Sequence, residues 1–553
     1  MEQTGITGSA VKSAIAFFSD TMSMFAAAPK SRVAVTNYTA RKSANHLPTE
    51  LLLIIFRMMF EDTINMDMYI ERGWLVERCG DDDILSPSLF PYAVASVCPR
   101  WRDIMSSVPV FWTRVVITVD PDSTSPLAIQ SCFDWAGDLP LRVFVTRNRN
   151  TSAFPDTGEV ERVARVMELL RPHICHTEKL TFDVLHHSSL PLIWEEHCSA
   201  RYLWVLKLVC QRDDGEDGGL VDLGAHGGEP GYIEEPVDHS EGDVEGFIEG
   251  TTDGDQNDND KDGDQERDGS ISECESNERA PPRLSVPFLE NFTIGGRAFR
   301  NFFIGQPDQL EWLYNIPYLT ISGYRRLGDE TSGISMRDLF RTISNLPHVE
   351  TITIDDVEFD HDMTRLTGPL YFESLTLRNL SEDALSNIFG GLLFVAAASI
   401  SIINCSVEGV IDIDANDLTL VGLDSTIDLS LILEGWTGRQ LTLRNCACVN
   451  DGFLIDMAES NSDLMEFSAS GLQSITVIDC DHLSVGGLRR MVEARLVAAE
   501  EQGYDGLQQE WNYDDTGVVC AIQTLSVSGC GPLLDDQDTT WLKQHVRRFS
   551  WSS

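Results

Sequence analysis

Phe372-Glu373-Ser374-Leu375-Thr376-Leu377-Arg378-Asn379-Leu380 is the stretch whose pattern decides the fold. Apolar residues at 372, 375, 377 and 380 frame a Leu-x-Leu centre, the alternation of a strand buried on one face. The frame returns as Ala397, Ile400, Ile402 and Cys405, then as Leu418, Leu420 and Leu423. Further copies are Leu441, Leu443 and Cys446; Leu472, Ile475, Val477 and Cys480; and Ile522, Leu525, Val527 and Cys530. Upstream, Phe292/Ile294, Leu319/Ile321 and Ile352/Ile354 fit more loosely. From one first core residue to the next (292, 319, 352, 375, 400, 418, 441, 475, 525) the spacings are 27, 33, 23, 25, 18, 23, 34 and 50. A single strand with its return cannot bury an apolar side alone, whereas stacked copies share one core. The alternation also fits strands of an unrelated α/β domain. The recurring ends Asn404-Cys405, Asn445-Cys446 and Gly529-Cys530 favour repeats.

A Leu-x-Leu strand returning about every 20–30 residues resembles the leucine-rich repeat. The resemblance implies an irregular α/β solenoid over residues 283–549, with a first part at 115–211. The longer spacings hold helical stretches, Met336–Ile343 and Gly486–Ala499, and Gly503–Gly517 reads as a loop insertion. In the first part, Val115, Ile117 and Val119 alternate, as do Leu141, Val143 and Val145, and Gly158–Leu170 carries a helical stripe. Leu180-Thr181-Phe182 and Leu206-Lys207-Leu208 add two strand-like units. Between the two parts the composition shifts to Asp, Glu and Gly. Residues 212–279 hold 24 acids against Arg212, Lys261, Arg267 and Arg279. Too few apolar side chains remain there to offset the entropy of ordering, so 212–282 is expected to be a disordered acidic insert.

The N-terminal region changes period. In Leu47-Pro48-Thr49-Glu50-Leu51-Leu52-Leu53-Ile54-Ile55-Phe56, apolar residues at 47, 51 and 55 make a helical stripe. Val94, Val97, Cys98, Trp101, Ile104 and Met105 make another, which Pro99 breaks and reopens as a first-turn proline. Pro109 and Trp112 follow. So small a unit hides too little surface to bury both stripes and two tryptophans, and its surplus apolar face needs a partner or the rest of the chain. An ordinary helical core satisfies the same periodicity.

The pattern L-P-x-E-L-x-x-x-I-F, then V-C-x-R-W-R-x-I, then P-x-x-W resembles the F-box, the adaptor-binding motif of substrate receptors in cullin-based ubiquitin ligases. The likeness spans residues 46–114 and departs from a compact F-box in a long insertion, read as a loop over Glu61–Leu89. It implies contact with a Skp-type adaptor, and through it a cullin. Leu47, Pro48, Leu51, Ile55, Phe56, Val97, Cys98, Trp101, Ile104 and Trp112 would be shared between that contact and the helical core. Trp101 and Phe56 are the expected anchors, since desolvated aromatics dominate interfaces. The repeat domain would then hold an unidentified protein target. Outward strand positions Arg378, Asn379, Arg444, Asn445 and Asp479 are the candidate contacts; a solvated sheet face reads the same way. A non-degradative scaffold built on the same two parts is the alternative.

Composition narrows the classes. A net charge of −46, from 87 acids against 41 Lys and Arg, argues against nucleic-acid and anionic-membrane binding and favours a neutral or basic target. No apolar run approaches the ~20 residues that span a bilayer. Residues 1–45, rich in Ser, Ala and Thr, read as a disordered leader; Ala14–Ala28 is interrupted by Asp20 and does not read as a secretory signal. Thirteen cysteines with no C-x-x-C suit a reducing compartment, cytoplasm or nucleus.

No catalytic or cofactor signature is found: no phosphate-binding loop, no G-x-S-x-G, no H-E-x-x-H. Cys446, Cys480 and Cys530 share one slot and read as small core residues. Asp258–Gly269 mimics the start of a calcium loop but lacks its closing Glu. His173, Cys175, His176, His186, His187, His197 and Cys198 raise the question of zinc. A strand between His176 and His186 would hold those two roughly 30 Å apart. No metal, cofactor or catalytic residue is therefore expected.

Overall fold

Each alternating Leu-x-Leu site becomes a strand, and the computed structural model joins these strands in a fourteen-stranded parallel sheet. The structure describes residues 47–71, 90–147, 156–191, 193, 199–212, 284–304, 310–326, 333–360, 370–389, 395–407, 409–458, 460–461, 466–467, 469–503, 519–529 and 533–552. The expected leader, the acidic insert after Arg212 with its calcium-loop-like run, the loop 504–517, His197, Cys198 and Cys530 lie outside them.

The strands are β1 (Arg114–Thr118), β2 (Leu141–Thr146), β3 (Thr177–His186), β4 (Val205–Arg212), β5 (Asn291–Gly295), β6 (Tyr318–Tyr324) and β7 (Thr351–Val357). They continue as β8 (Leu370–Arg378), β9 (Val395–Ile403), β10 (Asp414–Val421), β11 (Gln440–Arg444), β12 (Ser474–Ile478), β13 (Thr524–Ser528) and β14 (Arg548–Ser552). They lie side by side in chain order. The sheet therefore lacks the reversal of strand order at which doubly wound α/β folds bind ligands.

Register turns the sequence pattern into a core. Ile354, Leu377, Ile402, Leu420, Leu443, Val477 and Val527 pair across seven strands, and all are buried. Each such side chain contributes about 1.5–3 kcal/mol by leaving water. On the opposite face the middle row carries Thr or Ser on every strand from Thr293 to Ser550. The β-branched threonines that make up most of this row suit a half-exposed pleated surface. Returning segments include helices opened by capping side chains: Ser125, Ser335, Asp428, Asn450, Ser484 and Asp535 each accept a backbone N–H.

One backbone event recurs at the strand ends. Gly323, Asp356, Asn379, Asn404, Gly422, Asn445, Asp479 and Gly529 take φ of 49–67°, each directly after a register-paired outward residue. Only Gly, Asn and Asp appear, the residues for which the left-handed region costs least. The following residue turns back into the core: Leu380, Cys405, Leu423, Cys446 and Cys480 are buried. The Cys446 thiol donates to the Leu420 carbonyl at 3.3 Å, so these described cysteines fill a packing slot.

The first helix, α1 (Thr49–Glu71), runs beyond Glu61, where a loop was expected to begin. No Gly or Pro interrupts residues 49–71, so nothing in the chain ends the helix earlier. Residues 72–89 of that expected loop lie outside the described ones. α2 (Tyr92–Ala95) and α3 (Pro99–Ser106) follow, and Pro99 occupies the first turn as its fixed φ favours. A short turn of helix, Pro109–Trp112, leads into β1.

Candidate functional site

Two apolar faces on one helix single out the N-terminal unit. Leu52 and Phe56 point inward from α1 and are fully buried. Leu51 and Ile54, at 45% and 48% exposure, lie on another side with the half-buried Ile55 and Met58. Spacings of three and four align these four in a single stripe. A helix of a self-sufficient domain shows one apolar face to its core and polar residues opposite. Here both faces are apolar. Val97, half exposed, adds to the outer surface. Arg100 fixes its place by donating to the Leu47 carbonyl at 2.8 Å, which ties the start of α3 to the start of α1.

The ten expected adaptor-contact residues separate by burial. Phe56, Trp101 and Trp112 are inside. Phe56 meets Trp101 edge-on at 5.1 Å, and the Trp112 indole donates to the Met105 carbonyl at 3.0 Å. Trp112 also contacts Trp135 at 4.3 Å on α4 (Pro126–Ala136), joining the helical unit to the sheet. Phe56 and Trp101, the expected interface anchors, thus have rings that their own chain already desolvates. Pro48, Leu51 and Val97 are exposed, and Leu47, Ile55, Cys98 and Ile104 are half-buried. Ile54 and Met58, outside the expected ten, lie on the same stripe as Leu51, as their spacing of three and seven requires.

Tyr92 closes the junction. Its hydroxyl accepts the Val116 N–H at 3.0 Å on edge strand β1, and burial pushes its pKa up. Burial likewise pushes the neighbouring Cys132 thiol up to about 11. A cavity of about 240 Å³ lies on the same seam, walled by Phe60, Phe90 and Phe111 against Arg114 and Arg142.

The expected target contacts have another explanation. Asn379, Asn445 and Asp479 occupy the left-handed turn position, so backbone geometry selects their residue types. Asn379 also donates to Asp355 at 2.7 Å, and Arg378 pairs with Asp355 at 3.7 Å. Burial raises the pKa of that carboxyl, opposed by Asn379 and Arg378. Arg444 is half-buried on the outward face. These residues share the carboxyl ends of the strands but form no enclosed site.

Beside β1–β3 lies a buried ionic group. Arg147 contacts Asp120 at 3.2 Å, Asp156 at 3.6 Å and Glu159 at 3.7 Å. The Glu159 carboxylate accepts the Leu185 and His186 N–H groups at 2.8 and 3.0 Å. Arg162 pairs with Asp156 and donates to the Val119 carbonyl. Two guanidiniums thus face three carboxylates, the Glu159 carboxylate being further satisfied by backbone N–H groups, and the group joins the strand ends to α5 (Glu159–Leu170). His173 stacks near Phe133 at 4.4 Å, and His186 accepts the Asp156 N–H. Among the described residues no three His, Cys, Asp or Glu side chains form a metal-binding group, and no helix is long and apolar enough to cross a membrane. No protein-family model matches the chain, and no curated protein matches it.

Proposed function

We propose that this chain is the substrate receptor of a cullin-based ubiquitin ligase. Its N-terminal helices are an F-box that docks a Skp-type adaptor. Its sheet is a leucine-rich-repeat-like solenoid that holds a target protein. The observation that carries the first half is the double-faced helix α1. Leu52 and Phe56 satisfy the chain's own core, while Leu51, Ile54 and Val97 are left in water beside Pro48. An apolar stripe of this kind fits a partner's groove.

Support for the second half comes from strand order and turns. Fourteen parallel strands in chain order, with left-handed Gly, Asn or Asp at matching positions, suit a stack of similar units. Such a receptor contributes proximity: it places a target lysine near activated ubiquitin, and the associated enzymes do the chemistry.

Reconstitution with a Skp-type adaptor, a cullin and the ubiquitin-charging enzymes tests the reading. A protein captured by proximity labelling should gain ubiquitin with the wild-type chain and lose that modification with Leu51→Lys/Ile54→Lys. A captured protein that is never modified, while the wild-type chain sits in the complex, identifies a scaffold and overturns the ligase assignment.

A further inference from the structure

The amino ends of the middle strands carry a surface that neither the helical unit nor the turn ladder explains. Five aromatic side chains are exposed among the described residues: Tyr202, Phe288, Tyr314, Tyr318 and Tyr371. All five belong to β4–β8 or to the residues just before those strands. Register relates four of them along the same rim of the sheet. Val205, Asn291, Tyr318, Thr351 and Ser374 pair in one row. Tyr202, Phe288 and Tyr371 each stand three residues before that row, and Tyr318 stands in it. Phe288 and Tyr371 are 66% and 74% exposed, values that a core role does not account for.

Carboxylates interleave with the rings. Glu290, Glu350 and Glu373 occupy the position immediately before the same row, and backbone bonds fix them there. The Tyr318 N–H donates to the Glu290 carbonyl at 3.1 Å, and the Glu373 N–H to the Glu350 carbonyl at 2.8 Å. All three side chains are exposed. Arg201 lies over the Tyr202 ring at 5.4 Å, so this rim already receives one guanidinium on an aromatic face.

We propose that this aromatic and acidic rim docks a basic, Arg/Lys-rich segment of a partner protein. Exposed rings attract cations through their faces, and neighbouring carboxylates supply the opposite charge. A chain of net charge −46 attracts such a segment at long range. Five adjacent strands span about 19 Å, which roughly six extended residues cover. The partner's chemistry is therefore a short basic stretch running across the strand starts. The inference deepens the receptor reading by naming the target's chemistry, but it uses a different surface. Failure at the rim leaves adaptor capture by Leu51 and Ile54 untouched, and the converse holds.

The test is fluorescence anisotropy of a labelled peptide of about ten residues, with Arg and Lys separated by Gly, titrated with the full chain. Phe288→Ala/Tyr318→Ala/Tyr371→Ala leaves the net charge unchanged, so attraction to the acidic residues 213–278 is preserved. The expected result is at least roughly tenfold weaker binding, about 1.4 kcal/mol, with the melting temperature unaltered. Glu290→Gln/Glu350→Gln/Glu373→Gln should weaken binding and flatten its salt dependence. A photoreactive version of the peptide should crosslink to segments containing Tyr318 or Tyr371. Equal affinity for wild type and the aromatic variant, or crosslinks confined to residues 213–278, would overturn the proposal.

Discussion

Gly422→Ala probes the turn ladder at a position where two costs can be separated. The residue sits at φ 67°, and a Cβ built there overlaps the Asn404 carboxamide oxygen. Left-handed backbone costs an alanine about 1–2 kcal/mol relative to glycine. Displacing the exposed Asn404 carboxamide, on a residue itself held at φ 52° with its N–H bonded to the Val421 carbonyl at 2.8 Å, adds an overpacking cost of about 0.5–1.5 kcal/mol, that of an off-rotamer side chain. A loss of about 2–3 kcal/mol over a cooperative unit of about 350 residues corresponds to a fall in Tm of roughly 3–4 °C. Asn404→Gly supplies the control. Glycine tolerates the same φ and removes the obstructing oxygen, so Asn404→Gly alone should be nearly neutral. In the double variant it should recover the overpacking cost and leave only the backbone cost. Thermal melting followed by circular dichroism reads all four species of the cycle. Gly422→Ala melting within about 1 °C of wild type, or an unchanged deficit in the double variant, would rule out the strain assigned to this stacked turn.

The remaining predictions concern the first strands and the helical unit. Arg147→Ala leaves Asp120 and Glu159 buried without their guanidinium and should destabilise by about 3–5 kcal/mol; a loss under about 1 kcal/mol in urea titration would contradict the buried network. Burial and the nearby charge of His176 lower the His173 pKa, so the unfolded chain binds more protons. Stability from this group is complete above about pH 6.5 and is lost as pH falls toward the depressed folded value. His173→Phe should reduce the loss of Tm between about pH 7 and 5; parallel wild-type and variant curves would rule this out. Trp101→Ala should cost about 3–5 kcal/mol by opening the core around Phe56. Hydrogen exchange should report that loss in residues 49–60 and 92–112; unchanged protection there would contradict a structural role.

Much of the sheet was legible because burial on one face forces alternation. The pairs 375/377, 400/402, 418/420, 441/443, 475/477 and 525/527 all lie in strands. β14 escaped because Phe549 and Trp551 stand where earlier strands carry aliphatic residues. The extension of α1 past Glu61 is hidden by the likeness to a compact F-box, which ends the helix early, although no Gly or Pro interrupts residues 49–71. The turn ladder is visible as Asn, Asp or Gly before the final core residue, but a contact surface and a solvated face fit those residues equally, since periodicity carries no dihedral information. Burial was least legible. Leu51 and Trp101 are both apolar and both helical, and only tertiary packing puts the ring inside and leaves the leucine out. The aromatic rim was hidden for a related reason. Tyr202 and Tyr371 are far apart in the chain, and register alone brings their strands into one sheet.

On the proposed function, the outer stripe of α1 is a docking surface and the buried aromatics are its support. Calorimetric titration of the purified chain with a Skp-type adaptor decides this. Leu51→Lys/Ile54→Lys, two charges at the centre of an apolar contact, should cost about 4 kcal/mol, or roughly a thousandfold in Kd, without lowering Tm. The expected outcome is that loss for the double variant and near-wild-type affinity for Trp101→Phe. Undiminished adaptor binding by Leu51→Lys/Ile54→Lys, or no adaptor binding by the wild-type chain, would contradict it.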